Sequence, residues 1–166
     1  QHNIALCGPN CHGILNVRSK AALFSGTIPE PLILGGLAFV AQSGVMSGAI
    51  VDKVQRRGIG LSYLISTGNE AVLDLTDYIE FLLDDPATRV IATFIEGLRD
   101  ARRFSAVADR AVAMGKPLIV VKVGRSQKAA AAAMSHTGSM VGDDQVIVAM
   151  LKQHGVIVVE DLDTLV

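Results

Sequence analysis

One histidine of this 166-residue chain lies in a setting that suits a nucleophile. His136 stands in the stretch "SHTGS", within a connection from about residue 124 to 142. Structureless connections of that length in compact domains are usually functional or disordered. An imidazole attacks phosphorus well and is also a good leaving group, so it can accept a phosphoryl group and release it later. The loop and the residue type together predict a catalytic role for His136.

A carboxylate and a helix start are two further features that could take part in chemistry. Glu96 directly follows the apolar run "VIATFI" and precedes Gly97, which favours a partner in a crevice over a solvated loop position. Ser43 and Gly44 come where a strand turns into a helix, and no carboxylate follows them before Asp52. Free backbone N–H groups and the helix dipole at such a start favour a phosphate or a carboxylate. The alternative is that Ser43 is only an N-cap and the nearby glycines only allow close packing.

The stretch "LCGPNCHG" contains a third group of reactive side chains. Cys7, Cys11 and His12 could hold a metal ion, but three ligands crowded into six residues, with no distant pair, match zinc spacing poorly. Two cysteines four residues apart do not form the framework of a disulfide-rich secreted protein either. We therefore interpret them as reduced thiols of a cytoplasmic protein and expect no metal site.

Composition and charge exclude several classes of partner. The chain has 15 basic and 16 acidic residues, a net charge of −1 and no tryptophan, which argues against a nucleic-acid interface. No apolar run reaches the roughly 18 residues of a membrane span, and the first residues are not a basic n-region with a cleavage site, so neither a membrane span nor a signal peptide is expected. Neither a GxGxxG nor a GxxxxGK[ST] motif occurs, so the nucleotide sites that need them are not expected here.

Short apolar runs alternate with amphipathic segments along most of the chain. The predicted strands are "IAL" near residue 4, "LAFVAQ" at 37–42, "LSYLIS" at 61–66, "VIATFI" at 90–95, "PLIVVKV" at 117–123 and "VIVV" at 156–159. The predicted helices lie at about 45–57, 73–85, 100–114 and 143–154. Continuous apolar strands separated by helices indicate a parallel sheet covered on both faces, and right-handed crossovers make it a doubly wound α/β fold.

This architecture predicts where a site would lie. Ligands of open parallel sheets bind beyond the carboxyl ends of the strands. We therefore expect the segments 43–48, 67–71, 96–100 and 124–128, which follow predicted strands, to face one rim. Residues 1–35 are rich in glycine and proline and do not follow this alternation. They predict turns with one short strand pair, as in a connection from something upstream.

Five motifs, in order, resemble a known family. They are "GPNCHGILN", "AQSGVMSGAIVD", "STGNEAVLDLTDYIEFLLDDPATRVIATFIEGLRD", "KPLIVVKVGRS" and "SHTGSMVGDD". Together they resemble the succinyl-CoA synthetase-like domain of NDP-forming acyl-CoA synthetases, the superfamily of succinyl-CoA synthetase α subunits and ADP-forming acetyl-CoA synthetases. The resemblance implies a three-layer, flavodoxin-like fold with a mainly parallel sheet. It also implies that residues 1–35 lead in from a missing upstream CoA-binding domain and that residues 36–166 form the domain with the phosphohistidine loop.

The resemblance also implies a reaction and roles for particular residues. Enzymes of this family interconvert acyl-CoA, phosphate and NDP with free acid, CoA and NTP, through an acyl phosphate and a phosphohistidine. By motif, His136 would be phosphorylated, Glu96 would orient it, and Ser43 and Gly44 would help to hold the phosphate. Residues expected to support the loop are Ser135, Thr137, Gly138, Asn10 and Cys11.

The implied cofactors and partners lie outside this chain. Apart from a transient phosphate, no group is bound covalently, and CoA, ATP or ADP and Mg²⁺ would sit on partner CoA-binding and ATP-grasp domains or subunits. We therefore expect an acid-thiol ligase that works as an oligomer on a carboxylic acid or acyl-CoA, with this piece inactive alone. One departure is His12, which stands where the family pattern has an apolar residue or proline.

Two alternatives to a ligase stay open at this point. The domain could serve a protein acyltransferase or regulatory protein that has lost ligase chemistry, although an intact "SHTGS" argues against this. It could also be a non-enzymatic flavodoxin-like binding module, for example for FMN. Loops rich in aromatic residues, which sandwich a flavin, are not evident in the sequence.

Overall fold

A computed structural model describes residues 4–123 and 144–165 of the chain. The strands in this part are β1 (Gly13–Asn16), β2 (Ala21–Phe24), β3 (Leu34–Ala41), β4 (Leu61–Ser66), β5 (Val90–Ile95), β6 (Leu118–Lys122) and β7 (Ile157–Val159). The helices are α1 (Gly44–Arg56), α2 (Leu75–Asp84), α3 (Ala101–Ala113), α4 (Asp144–Gln153) and α5 (Leu162–Leu165). No helix of the described ranges is long and apolar enough to cross a membrane.

The strands form one mixed sheet in the order β2-β1-β4-β3-β5-β6-β7. The five strands from β4 to β7 are mutually parallel, whereas β1 pairs antiparallel with both β2 and β4. Counted among themselves, the parallel strands follow the flavodoxin order 2-1-3-4-5. This confirms the doubly wound, mainly parallel, flavodoxin-like fold. The direction of winding reverses between β3 and β5, and such a switch point opens a crevice at the carboxyl edge of a sheet.

Two apolar layers attach the helices to the two faces of the sheet. On one face, Ile50, Val51 and Val54 of α1 pack against β3 and β4. On the other face, α2, α3 and α4 share a core that includes the fully buried Ile79 and Phe104. The central strands are therefore buried on both sides, which explains why they are apolar without alternation.

Most predicted elements are confirmed. The five predicted strands from residue 37 onward and the four predicted helices match observed elements to within about three residues. The predicted strand "IAL" is wrong, because Ile4 and Leu6 are 70% and 47% exposed and lie in no strand. That run is only three residues long and lies outside the sheet, in which β1 and β2 are instead the two strands beyond β4. The predicted short strand pair of the lead-in is β1 with β2, which adds to the same sheet. A boundary at residue 35 stays a prediction.

Candidate functional site

A cleft of about 310 Å³ lies at the switch point between β3 and β5. Three of the four segments predicted at one rim meet there, and the turn before β1 joins them. The fourth segment, 124–128, lies outside the described residues. The residues that line the cleft are Asn10, Cys11, His12, Gln42, Ser43, Gly44, Val45, Gly68, Asn69 and Glu96. The structure therefore brings Ser43, Gly44 and Glu96 together with Asn10 and Cys11.

The start of α1 differs from the starts of α2 and α3. Asp74 begins α2 with a reciprocal capping box, and Asp100 caps α3. At α1, Ser43 Oγ accepts only a long bond of 3.5 Å from the Met46 N–H, and the first turn has no acidic residue. Ser43 is thus an N-cap, but a weak one, and no carboxylate of the first turn competes for the helix dipole. The arrangement can hold an oxyanion at the mouth of the cleft.

Gln42 joins the loops that follow β3, β4 and β5. Its Oε1 accepts the N–H groups of Glu96 at 2.7 Å and Gly97 at 3.1 Å. Its Nε2 donates to the Gly97 carbonyl at 2.9 Å and to Glu70 Oε2 at 3.1 Å. The side-chain amide therefore holds the backbone of Glu96 in place. No role is predicted for Gln42 from the sequence, although a polar residue at the end of the apolar run "LAFVA" is a signal for one.

Glu70 is a buried carboxylate beside the cleft that serves the loop after β4. Its Oε1 accepts bonds from Thr67 Oγ1 at 2.8 Å and the Leu75 N–H at 2.9 Å, and Gln42 binds the other oxygen. Burial raises the pKa of the Glu70 carboxyl, and these hydrogen bonds act in the opposite direction. Glu70 thereby ties the β4–α2 loop to Gln42, a role that the sequence alone did not suggest.

The turn before β1 is pinned onto the β4–α2 loop. The Asn69 N–H donates to the Pro9 carbonyl at 2.9 Å, and Asn10 Nδ2 donates to Asn69 Oδ1 at 3.3 Å. A Cβ at Gly68 would lie 2.3 Å from the Pro9 carbonyl oxygen, and φ at Gly68 is +61°, so only glycine fits. Asn10 itself is left-handed, with φ of 55°. Residues from the lead-in are in this way built into the wall of the cleft.

Cys7 and Cys11 are both free thiols, with their Sγ atoms 3.9 Å apart. Burial, together with the neighbouring Cys7, raises the pKa of Cys11. Cys11 lines the cleft, so the predicted support residue lies at the candidate site. Within residues 4–123 and 144–165, no group of three His, Cys, Asp or Glu side chains is arranged to hold a metal ion.

Four predicted site residues, Ser135, His136, Thr137 and Gly138, lie outside the described residues. On either side of that range, the structure describes Lys122 at the end of β6 and Asp144 at the start of α4. Lys122 Nζ lies 2.9 Å from Asp144 Oδ1, and the two side chains are 1% and 13% exposed. Lys122 Nζ also donates to the Glu96 carbonyl at 3.0 Å. A charged residue within "LIVVKV" was the sequence signal for this buried ion pair.

Two glycines of α1 provide a test of the cleft geometry. A Cβ at Gly44 would lie 2.8 Å from His12 Cδ2, whereas a Cβ at Gly48 would meet nothing within 4 Å. We expect Gly48→Ala to raise the free energy of unfolding by about 0.5–1 kcal/mol, because alanine favours the helix interior. Gly44→Ala should lower it by about 1–3 kcal/mol through overpacking. Urea unfolding measures both, and equal effects of the two substitutions would contradict the contact between His12 and Gly44.

The chain is similar to one family model and to several known proteins. The model for the succinyl-CoA ligase like flavodoxin domain matches residues 34–166. Acetate–CoA ligase [ADP-forming] I of Archaeoglobus fulgidus is 40% identical over 166 residues, which cover 99% of this chain and 24% of that protein. Acetate–CoA ligase [ADP-forming] II subunit alpha of Pyrococcus furiosus is 39% identical over 163 residues, which cover 98% of this chain and 35% of the relative.

A solved structure shows the same fold. The acetyl-coenzyme A synthetase 1 of Ca. Korarchaeum cryptofilum, in complex with phosphate and ADP, matches with a TM-score of 0.85 and 36% identity. The match covers 95% of this chain and 34% of that one. The chain thus spans between about a quarter and a third of the length of these relatives.

Proposed function

The chain belongs to the family of succinyl-CoA ligase-like flavodoxin domains, and on that premise we propose that it is the phosphoryl-carrying domain of an NDP-forming acyl-CoA ligase. The proposed reaction converts acyl-CoA, phosphate and NDP reversibly to a carboxylic acid, CoA and NTP. The observation that carries the proposal is the cleft at the switch point. There a helix start without acidic residues, at Ser43 and Gly44, and Glu96 line the same cleft.

The proposed sequence has three steps. A phosphate oxygen attacks the thioester carbon of acyl-CoA, the C–S bond breaks, and the CoA thiolate leaves an acyl phosphate behind. A ring nitrogen of His136 then attacks phosphorus, and the carboxylic acid departs as its carboxylate when the P–O bond breaks. Finally, a terminal oxygen of NDP attacks the phosphohistidine, the N–P bond breaks, and NTP forms. Imidazole suits the carrier role because it binds and releases phosphoryl groups without a deep energy minimum.

The described residues supply positioning and charge stabilisation. Backbone N–H groups at the start of α1 would neutralise phosphate oxygens. The Glu96 carboxylate would accept a hydrogen bond from the His136 ring, which selects the tautomer and stabilises the developing positive charge. Gln42 supports this role because its bonds to the Glu96 and Gly97 N–H groups hold that loop at the cleft.

The remaining components are proposed to come from elsewhere in the assembly. CoA would bind on a CoA-binding domain, and the nucleotide with Mg²⁺ on an ATP-grasp domain, in the same protein or in a partner subunit of an oligomer. The named relatives are much longer than this chain, and one of them is a subunit alpha. Both facts support binding of CoA and nucleotide on other domains or subunits. We place the enzyme in the cytoplasm, where two adjacent free thiols stay reduced.

Phosphoryl labelling tests the proposal directly. The assembled enzyme is incubated with ATP labelled at the γ-phosphate and Mg²⁺, and the protein is then treated with acid or with base. We expect a label on this chain that is stable in base and labile in acid, as a phosphohistidine is. Addition of CoA and the acid substrate should discharge the label. An active ligase whose chain takes up no such label would contradict the phosphohistidine route.

Glu96→Gln tests the orienting carboxylate. The amide keeps the size of the side chain but loses its charge, so phosphorylation by ATP should slow by about 10- to 100-fold. Rapid-quench measurement of the label gives the rate, and circular dichroism shows whether the fold is kept. Glu80→Gln, at a carboxylate that pairs with Arg103 on α3 instead, is the matched control. Equal phosphorylation rates in the two variants would remove the role assigned to Glu96.

A further inference from the structure

His12 is a reactive side chain in the cleft to which the proposed reaction gives no role. It lines the cleft together with Ser43, Gly44 and Glu96. Its N–H donates to Ser66 Oγ at 3.1 Å, and its carbonyl accepts the Ser25 N–H at 2.8 Å. The backbone of His12 is therefore held by segments on both sides.

The imidazole lies directly against the first residue of α1. A Cβ built on Gly44 would be 2.8 Å from His12 Cδ2, 3.0 Å from Nε2 and 3.2 Å from Cγ. The ring also packs edge to face on Phe24, with centroids 5.5 Å apart and an angle of 84° between the planes. The ring thus lies between Phe24 and Gly44 at the start of α1, where a bound oxyanion would lie.

The two ring nitrogens have unequal surroundings. Nδ1 is buried and has no hydrogen-bond partner in the part of the chain that the structure describes. A rotation of the ring by 180° about Cβ–Cγ exchanges the positions of Nδ1 and Cδ2. In the present orientation Nε2 lies beside Gly44, and after the rotation Nδ1 would take the place of Cδ2 there. Either orientation therefore presents one ring nitrogen to the first turn of α1.

We propose that His12 donates a hydrogen bond from this nitrogen to the phosphate held at the start of α1. The inference rests on the proposed function, because that reaction makes inorganic phosphate the ligand of the cleft. Backbone N–H groups of one helix turn can satisfy only part of the oxygens of a phosphate, and an imidazole donor beside them satisfies one more. An apolar residue or proline at this position, as in the family pattern, cannot donate such a bond. His12 would thus strengthen phosphate binding in this protein.

The test compares substitutions that separate ring shape from hydrogen bonding. His12→Phe keeps a ring between Phe24 and Gly44 but has no donor, whereas His12→Gln and His12→Asn restore a donor near Nε2 or Nδ1. In the assembled enzyme, His12→Phe should raise the KM for phosphate about tenfold and leave the KM for acyl-CoA and NDP unchanged. At least one of the amide variants should recover most of the affinity. An unchanged KM for phosphate, or no recovery in either amide variant, would overturn the proposal.

Either phosphate or the carboxylate of the acid substrate could accept the hydrogen bond from His12, and kinetics of the reverse reaction distinguish the two. The carboxylate of the acid substrate is the other candidate ligand, so its KM is measured with CoA and NTP at saturation. We expect that KM to be the same in His12→Phe and in the unmodified enzyme. A rise in the KM for the acid, without a rise in that for phosphate, would assign the donor to the carboxylate and contradict the inference.

Binding of phosphate can also be measured without turnover, which tests the role of His12 independently of the proposed reaction. The enzyme is labelled with ¹⁵N in its histidine rings, of which this chain has four, and titrated with inorganic phosphate. The His12 signal, identified by its loss in His12→Phe, should shift and saturate with phosphate. A shift without any phosphohistidine label would support His12 as a phosphate ligand while the proposed function fails. A label without a shift would leave the function standing and overturn the inference.

Discussion

Replacing His136 by alanine is expected to abolish the phosphoryl label on this chain and to lower turnover by at least about 1,000-fold. The loss should be this large because the imidazole would be bonded to phosphorus in the reaction, and alanine offers no atom that can replace it. Binding of phosphate at the start of α1 should survive, because backbone N–H groups and not the imidazole of His136 would hold that ion. Labelling and steady-state turnover of the assembled enzyme measure the two losses.

His154→Ala is the matched control for this experiment. The His154 ring lies at the surface, with Nδ1 2.7 Å from Asp109 Oδ1, and has no place at the cleft. The substitution should therefore keep the label and nearly full turnover. Persistence of an acid-labile, base-stable label in His136→Ala would show that another residue carries the phosphoryl group. Loss of the label in both variants would point to a general effect on folding.

Lys122→Met is expected to lower the free energy of unfolding by about 3–5 kcal/mol. The change removes the cation that faces Asp144 in the interior, since the two side chains are only 1% and 13% exposed. Asp144 Oδ1 makes no hydrogen bond within the described residues. Attraction to the nearby Lys122 cation is therefore the main interaction that offsets the loss of its hydration there. The Glu96 carbonyl would also lose its bond from Nζ. Urea unfolding followed by circular dichroism gives the difference in stability.

An exposed ion pair of the same type provides the comparison. Lys53 pairs with Asp163, whose side chain is 74% exposed, so Lys53→Met should cost less than about 1 kcal/mol. Adding Asp144→Asn to Lys122→Met should restore part of the stability, because no unpaired charge then remains buried. Equal losses in the free energy of unfolding for Lys122→Met and Lys53→Met would contradict a larger contribution of the buried ion pair to stability.

Much of the fold follows from local patterns that a sequence displays directly. Apolar runs such as "VIATFI" and "LSYLIS" became β5 and β4, because strands buried on both faces need no polar alternation. The predicted helices at 73–85 and 100–114 start where Asp74 and Asp100 cap α2 and α3, since a short polar side chain at that position satisfies a free N–H of the first turn. The run "IAL" failed as a strand because periodicity does not say whether a short apolar segment finds a neighbour in the sheet.

The site was predictable to a smaller extent. Ser43, Gly44 and Glu96 could be placed on one rim because the carboxyl ends of parallel strands share an edge. Gln42 binds Glu70 and Gly97, and Lys122 binds Glu96 and Asp144, through hydrogen bonds and an ion pair. These partners are at least 22 positions apart along the chain, so no local pattern encodes the contacts. Gln42 alone reaches residues 28 and 55 positions away. Such contacts exist only after the strands have been assembled in their order.

By itself, the sequence determined the α/β class, the resemblance to acyl-CoA ligases and the motif around His136, since each depends on residue types and short spacings. Only the tertiary structure decided that β3 and β5 are neighbours, which places Ser43 beside Glu96. It also decided that the turn before β1 folds over the start of α1, so that His12 lies against Gly44. The physical reason is that sheet order and loop packing depend on contacts between distant residues, which become favourable only when the whole core is formed.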